Sequence, residues 1–300
     1  MGSEAMRPES SSPDAAPHKN SQLSGIGDIL QSFLQWRIFV TLGWQEIRSS
    51  YLRTLIGPFW ITLNKAVHIA SIGLIFGLIF GSKRYVPNLA VGLIGWGLIA
   101  SILNSSCNVF TGNSGLIKQV HLPLHIHLLQ LYWKNLIVYL HTLLIVPVIW
   151  LIYDIRPGFG MLWFILGTVM LMLNLGWIGI VLGVACTRFR DLSQIVQNLV
   201  QVLYFMTPIM WMPEMLLGRL APWIIDWKVL SDGWLPWSAS EWTFLDLNLF
   251  YHLLELVRGP LLKSEIHWDH FFIALLVTIP GWISAIWIFQ RHRQRLVYWL

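Results

Sequence analysis

The chain has 300 residues, of which 55% are hydrophobic and only 12% are charged, with a net charge of +5. Soluble domains carry about 25% charged residues and the mean hydropathy here is +0.59, so the composition excludes an ordinary soluble domain. The two cysteines lie in apolar runs and cannot form a disulfide framework. The basic residues are scattered rather than gathered on one face, which excludes nucleic acid as the expected partner and is typical of loops beside anionic lipid.

The N-terminal part of the chain precedes the apolar segments. Residues 1–24 are polar and rich in Ser, Pro and Ala, so we predict a disordered tail without a signal peptide. Residues 25–58 form a cytoplasmic interface region, in which residues 42–56 have the periodicity of an amphipathic helix lying along the membrane. That helix is either a plain anchor or a surface that receives a partner's motion. Its predicted apolar face contains Trp44, Ile47, Tyr51, Leu52, Leu55 and Ile56.

Residues 59–300 contain six apolar segments, each long enough to cross a hydrocarbon core of about 30 Å. An even number of spans puts both termini on one side, and the connections next to the termini hold slightly more Lys and Arg, so we expect both ends in the cytoplasm. Lys65 and Lys134 are the only Lys or Arg residues in the predicted spans. Snorkelling to the interface is one explanation for them. The predicted spans are 59–80, 88–110, 128–152, 158–186, 192–213 and 270–290.

Residues 111–127 form a predicted cytoplasmic connection with a short helix, which Asn113 or Ser114 caps and which ends before Pro123. A soluble motor subunit would push on such a helix. Three histidines in this connection raise the alternative of a metal site, but they have no carboxylate or cysteine nearby. These are His121, His125 and His127.

Residues 214–268 form the predicted extracytoplasmic gate region. A capping box at 238–241 predicts a helix that starts near residue 239, and Gly259-Pro260 predicts its end. The stretch is too polar for a full span and too apolar for a solvated loop, so we predict a re-entrant helical pair, with an interfacial helix as the alternative. The expected fold is therefore an all-α integral membrane protein with six spans, an N-terminal interface helix and a re-entrant pair between spans 5 and 6.

Five stretches carry a resemblance to a known family: EIRSSYLRTLIGPFW, GLIKQVHLP, FRDLSQIVQNLVQVLYFMTPIMW, NLFYHLLELVRGPLL and RQRLVYWL. In this order they resemble the permease subunits of type 2 ABC exporters of polysaccharides, most of all O-antigen permeases and also those of capsule and teichoic acid exporters. Leu249 departs from the family, which usually has Pro after the Asn at this point. Matching residues in the third and fourth stretches are Phe189, Arg190, Asp191, Thr207, Pro208 and Ile209, then Asn248, Arg258, Pro260 and Leu261.

The resemblance implies a working unit in the bacterial inner membrane. Two copies of the chain would surround a channel for an undecaprenyl-linked polysaccharide, and two separate ATPase subunits would bind ATP and Mg²⁺. The chain itself would be no enzyme and would hold no cofactor, since its nearest approach to a P-loop, Gly77 to Lys83, is one residue too short.

The same resemblance assigns candidate roles by position. The expected ATPase-coupling residues are Leu116, Ile117, Lys118, His121, Pro123, Arg48 and Arg53. Arg188, Arg190 and Asp191 are expected at the cytoplasmic interface, and Arg48, Arg53 and Lys65 are candidates for contact with the substrate pyrophosphate. The expected gate residues are Trp242, Asn248, Tyr251, His252 and Arg258.

The 18 tryptophans give a further hint about the substrate. Interfacial belts explain several of them, but aromatic faces also pack against the C–H face of a sugar and let a glycan slide. Each such ring could equally be a core or belt residue. The candidate channel-lining aromatics are Phe59, Phe76, Phe80, Trp96, Tyr204, Phe205 and Trp211.

Three rival functions are weaker. A membrane glycosyl- or acyltransferase needs a catalytic His or a carboxylate cluster, and neither Asp-x-Asp nor His-x4-Asp occurs. A secondary transporter needs mid-membrane carboxylates, which the predicted spans lack. A type 2 exporter of drugs or other lipids is the nearest rival, and only the gate stretch and the C-terminal stretch favour glycans over it.

Overall fold

The computed structural model describes residues 25–52, 54–120, 122–212, 245, 247–265 and 267–300. Regular structure in these ranges is entirely helical. The helices are α1 Gly25–Leu34, α2 Trp36–Ser50, α3 Phe59–Phe80, α4 Tyr85–Cys107, α5 Ser114–Gln119, α6 His125–Leu143, α7 Ile145–Tyr153, α8 Trp163–Arg188, α9 Leu192–Met206, α10 Leu249–Lys263 and α11 Trp268–Trp299.

Five helical stretches in the described ranges are long and apolar enough to cross a membrane. The first has the bounds predicted from the sequence, and the last is longer than predicted because the helix continues through the C-terminal stretch. The chain is therefore an all-helical, multi-pass membrane protein. These stretches are Phe59–Phe80, Tyr85–Cys107, His125–Tyr153, Phe159–Arg188 and Trp268–Trp299.

The third span consists of two consecutive helices, α6 and α7, which meet at Leu144. Pro147 lies in the first turn of α7 and has no N–H to donate to the carbonyl of Leu143. The missing hydrogen bond explains why one apolar run forms two helices.

The predicted span at 192–213 is helical only as far as Met206. Thr207 is extended, with φ −84° and ψ 134°, because a residue that precedes proline is disfavoured in the α region. The sequence motif therefore ends the helix at Pro208 rather than continuing it. With 15 residues, α9 is only about 22 Å long, which is short for a bilayer core of about 30 Å.

The interface region differs from the prediction, which placed one amphipathic helix over residues 42–56. The helix α2 begins earlier and ends at Ser50, and Gly57, with φ 59°, forms part of the turn before α3. Of the predicted apolar face, Ile47 is buried in α2, whereas Leu55 is fully exposed beyond it. A Cβ placed on Gly43 would lie only 3.0 Å from the Trp133 side chain, so α2 packs closely on α6 there.

The predicted helix end at Gly259-Pro260 is wrong, because α10 continues through both residues to Lys263. Pro260 cannot donate to the carbonyl of Leu256, and this carbonyl lies against Gly167 of α8, where any side chain would collide with it. Close packing on α8 thus holds the helix together across the proline. The helix start predicted near residue 239 lies outside the described residues.

The helix at the centre of the bundle is α4, most of which is buried among α3, α6, α8, α9 and α10. In contrast, α3 buries only Ile69 and Gly73 and exposes long apolar side chains. The core thus forms around α4, and α3 lies at the edge of the single chain.

Candidate functional site

The non-helical residues 207–212, called here the post-α9 segment, are held by side chains of α10. The Asn248 amide donates a hydrogen bond from Nδ2 to Thr207 Oγ1 at 2.9 Å, and Arg258 donates from Nη2 to the carbonyl oxygen of Pro208 at 2.8 Å. These four residues belong to two sequence motifs about 40 residues apart. The structure brings the two motifs together in one cluster.

Arg258 is a buried charge with defined partners. Its side chain is 4% exposed, and Nη1 donates to Glu255 Oε1 at 2.8 Å one turn earlier on α10. Gly92 of α4 leaves space for the guanidinium, since a Cβ there would lie 2.7 Å from Nη2. A buried charge requires such pairing, so α4, α10 and the post-α9 segment are packed around this one residue.

Two further hydrogen bonds fix the post-α9 segment. Tyr85, at the start of α4, donates from its hydroxyl to the carbonyl of Met210 at 2.8 Å. The Trp211 indole donates to the carbonyl of Phe205 at 3.1 Å. The role of Tyr85 was not predicted from the sequence, because its partner is a main-chain atom and leaves no side-chain signal.

The start of α10 is capped by Asn248, whose side-chain oxygen accepts from the Phe250 N–H at 3.0 Å. Asn248 therefore both begins α10 and reaches Thr207. This arrangement forms with Leu249, rather than proline, in the following position.

Three of the predicted channel aromatics form a connected cluster. The Trp96 ring centroid lies 5.9 Å from that of Tyr204, which in turn lies 5.3 Å from that of Phe205. Phe250 of α10 contacts the other side of Trp96 at 6.1 Å. In the single chain Trp96 is buried and Phe205 is exposed, so this cluster runs from the core to the surface.

The other predicted aromatics lie elsewhere. Phe76 and Phe80 stack at 6.2 Å near the end of α3, and Phe80 contacts Tyr85 at 4.9 Å. Phe59 is exposed at the opposite end of the same helix. Trp211 lies beside the first cluster, since its indole donates to the carbonyl of Phe205. The structure therefore divides the seven predicted aromatics into a group of four, the pair Phe76 and Phe80, and Phe59 alone.

The remaining gate candidates connect α10 with α11. His252 is buried, and its Nδ1 lies 2.7 Å from Nδ1 of His270 at the start of α11. The Tyr251 ring lies 5.3 Å from that of His270. Trp242 lies outside the described residues.

The connection at residues 111–127 contains the short helix α5, as predicted. Leu116, Ile117 and Lys118 lie on it, and Pro123 is buried beyond its end. Capping differs from the prediction, because the Asn113 amide donates to the carbonyl of Val109 at 2.7 Å instead of accepting from the helix. His121 lies outside the described residues.

A buried carboxylate that was not predicted from the sequence joins α1 to α11, the first and last helices of the described residues. Asp28 of α1 is fully buried, accepts from the backbone N–H of His125 at 3.0 Å and pairs with Arg293 Nη2 of α11 at 2.9 Å. Burial raises the pKa of the Asp28 carboxyl, while His125 and Arg293 act in the opposite direction. Three elements thus meet at one ion pair: α1, the start of α6 and the end of α11.

Arg188, at the end of α8, packs against the same end of α11. Its guanidinium lies 5.4 Å from the Trp299 ring and 5.1 Å from the Phe189 ring. Arg190 and Asp191 follow as exposed residues.

The two lysines within the spans have different surroundings. Lys134 of α6 pairs with Glu46 of α2 at 2.6 Å, and Gln130 donates to the same carboxylate at 3.2 Å. Lys65 of α3 faces a cavity between α3, α4 and α6, and no described carboxylate pairs with it. Arg48 is exposed at the end of α2, and Arg53 lies outside the described residues.

Comparison with known proteins shows the family to which the chain belongs. Residues 37–231, well over half of the chain, match the family model described as ABC-2 type transporter. The chain belongs to this family of transporter membrane domains, and membership implies an ATPase subunit as partner.

Individual relatives of the chain are permeases of O-antigen export systems. The chain is 23% identical over 252 residues to an O-antigen export system permease protein RfbA of Klebsiella pneumoniae, which covers 81% of this chain and 89% of the relative. A second Klebsiella pneumoniae protein of the same name is 24% identical over 67% of this chain and 78% of its own length. One from Myxococcus xanthus is 23% identical over 61% of this chain and 72% of its own.

Proposed function

We propose that this chain is the transmembrane subunit of an ATP-driven exporter that moves a lipid-linked polysaccharide, of the O-antigen type, across the bacterial inner membrane. The observation that carries the proposal is the cluster of Thr207, Pro208, Asn248 and Arg258, with the Trp96–Tyr204–Phe205 cluster beside it. The similarity to O-antigen export permeases supports the choice of substrate.

Contacts between the chain ends support a six-span topology with both ends in the cytoplasm. The Asp28–Arg293 pair places α1 beside the end of α11, so both ends lie at one face of the bundle. Both ends can lie at one face only if the number of crossings is even, so the five long apolar stretches require one more crossing. We propose that α9 and the post-α9 segment together provide it, between α8 and α11. The Arg188–Trp299 contact supports a start of this additional crossing at the same face, because α9 follows shortly after Arg188.

The path of α10 supports one half of a re-entrant pair. Phe250 contacts Trp96, Leu254 lies against Gly95 and Arg258 against Gly92, so α10 moves toward the start of α4 as it proceeds. Near the other end of α10, the carbonyl of Leu261 accepts from the Trp150 indole at 3.0 Å. The beginning of α10 thus lies deeper than its end, as expected of the outgoing half of a re-entrant pair.

The exposed side of α3 supports a second copy as the partner that completes the channel. Long apolar side chains, including Val67, Leu74, Ile75, Leu78 and Ile79, lie exposed there in the single chain. In the dimer we propose, this side and the exposed residues of α9 enclose the path of the glycan. Aromatic faces would then contact the sugar without binding it too tightly to release it.

The drive would come from two ATPase subunits that bind ATP and Mg²⁺. We place their contact at α5 and at α2. A push on α5 reaches α6 through Pro123, and a push on α2 reaches the same helix through the Glu46–Lys134 pair. The chain supplies transmission and a path, with no cofactor of its own.

The test is reconstitution of the permease with its ATPase in proteoliposomes, with a lipid-linked glycan as substrate. We expect glycan transfer that requires both subunits and ATP. Replacing Tyr204 and Trp211 together by alanine should remove about 1.4 kcal/mol of aromatic contact with the sugar, which corresponds to about a tenfold loss of transfer. ATP hydrolysis should persist. Phe159→Ala, which removes an exposed aromatic outside the candidate channel set, is the matched control. Transfer by the permease alone, or undiminished transfer in the double variant, would contradict the proposal.

A further inference from the structure

A polar cavity of about 400 Å³ lies between α3, α4 and α6, within the membrane-spanning part of the chain. Lys65 is the one charged side chain among the described residues that line it, and the neutral polar groups include Asn64, His68, Ser101 and Asn135. A volume of this order is usual for small-molecule sites. The cavity therefore has both the size and the polar groups of a binding site.

Several of these groups have no partner of their own. Ser101 donates to Asn135 at 2.5 Å, but no hydrogen bond joins the side chains of Asn64, Lys65 or His68 to any other described residue. Asn64 and Lys65 are adjacent on α3, His68 follows one turn later, and all three line the cavity. Lys65 is half-buried, whereas Asn64 and His68 are exposed in the single chain. Donors thus converge on a space that no carboxylate in the described chain occupies.

The direction of Lys65 argues against simple snorkelling. A snorkelling lysine extends along its own helix toward the headgroups, whereas this ammonium crosses to α4. A Cβ placed on Gly97 would lie 3.1 Å from Lys65 Nζ, and Gly97 is near the middle of α4. The absence of a side chain at Gly97 provides the space into which Lys65 points.

The positive charge of Lys65 favours an anionic ligand in the cavity. An unpaired cation inside a membrane is costly and usually marks a functional site, and Lys134 shows the alternative, a lysine neutralised by a carboxylate of the protein. An anion that enters the cavity would remove this cost for Lys65. Exposed Leu63 and Val67 flank the polar side chains on α3, which favours an anion that carries an apolar chain.

We propose that this cavity binds the phosphate group that joins the glycan to its lipid, with Lys65 as the charged contact and Asn64 and His68 as hydrogen-bonding neighbours. This inference rests on the proposed function and names the part of the substrate that the chain recognises. Tyr51, which follows α2, also lines the cavity, so a shift of α2 changes its shape. The site is thereby linked to the helix that we place against the ATPase.

The experiment measures binding to the full permease–ATPase complex in nanodiscs by native mass spectrometry, with a C55 polyprenyl diphosphate that carries no sugar as the probe. Lys65→Gln should weaken diphosphate binding about tenfold or more, because a charge-assisted hydrogen bond is lost. Lys65→Arg should retain most of the binding, and the uncharged polyprenol should bind equally to wild type and Lys65→Gln. Gly97→Leu should weaken binding by filling the cavity beside Nζ.

Lys83→Gln is the matched control, since it removes an exposed lysine beyond the other end of α3 that does not line the cavity, and it should leave diphosphate binding unchanged. Unaltered binding to Lys65→Gln would overturn the inference, and so would equal competition by phosphatidylglycerol, which would mean that the cavity holds bulk lipid. The two proposals fail differently. If glycan transfer occurs but Lys65→Gln binds diphosphate normally, only the inference fails, whereas tight diphosphate binding without any glycan transfer rejects the proposed function.

Discussion

The two ends of the bundle are held together by different means. At the end where the chain termini meet, ion pairs connect separate helices: Asp28 with Arg293 and Glu46 with Lys134. At the other end, the post-α9 segment is a piece of non-helical main chain whose carbonyls accept from side chains, chiefly those of Arg258 and Tyr85. We call the first the rigid end, after its ion pairs between helices, and the second the adjustable end, after its irregular main chain.

The largest effect is expected at the adjustable end. Arg258→Ala leaves the Glu255 carboxylate and the Pro208 carbonyl unpaired in a buried site, and should cost about 4 kcal/mol of stability, as for other broken buried pairs. The measurement is the thermal midpoint of the detergent-purified chain together with glycan transfer. Lys263→Ala, on the exposed end of α10, is the control and should behave as wild type. A fully stable Arg258→Ala variant would show that the cluster does not hold the segment.

A somewhat smaller loss is expected at the rigid end. Asp28→Ala removes the buried carboxylate that pairs with Arg293 and should cost about 3 kcal/mol. The measurement is the shift in chemical or thermal unfolding. The double variant Asp28→Asn with Arg293→Gln should lose less than the sum of the two single changes, because each single change already breaks the pair. Strict additivity would mean that the two residues do not interact in the folded chain.

Acidification should sharpen the comparison, since Asp28 is the buried carboxylate of the rigid end. Its pKa in the folded chain lies above the usual 3.8, so the folded state holds a proton more tightly than the unfolded state between these two values. The contribution of Asp28 to stability therefore rises as the pH falls through the folded-state pKa and levels off below 3.8. Because Asp28→Asn cannot titrate, the midpoint of wild type minus that of the variant should increase on acidification. A decrease would mean that the Arg293 charge outweighs burial.

The smallest effect is expected at Glu46 and Lys134. Their side chains are 43% and 34% exposed, so solvent screening limits the pair to about 1 kcal/mol or less. Glu46→Gln should therefore change the thermal midpoint little. It should instead reduce the stimulation of ATP hydrolysis by the permease if α2 transmits force to α6 through this pair. Unchanged stimulation would remove Glu46 from the coupling route.

Local sequence patterns predicted the parts of this molecule that depend on local rules. The bounds of α3 follow from apolar length and a Gly-Pro turn, and α5 follows from its position before Pro123. The end of α9 was predictable in the same way, since Thr207 precedes a proline, but the apolar run obscured it. Pro260 shows the limit of such rules, because packing against Gly167 overrides the local signal.

Other parts of the site depend on contacts between distant residues. Lys65 and Lys134 look alike in the sequence, and only tertiary structure gives one a carboxylate and the other a cavity. Asp28 stands alone in an apolar stretch, and its partner lies 265 positions away (293 − 28). The structure brings together the motif residues around Arg258, but the hydrogen bonds among them could not be deduced from spacing.

The Asp28–Arg293 pair also constrains how the chain is made. Asp28 precedes the five membrane-crossing stretches of the described residues, whereas its charged partner lies near the end of the last one, so the partner is synthesised much later. Until Arg293 has been made, α1 can pack on α6 but lacks its second packing partner, α11. A chain truncated before Arg293 should therefore keep a buried carboxylate without this cation. Such a chain should be cleared by quality control before it meets an ATPase.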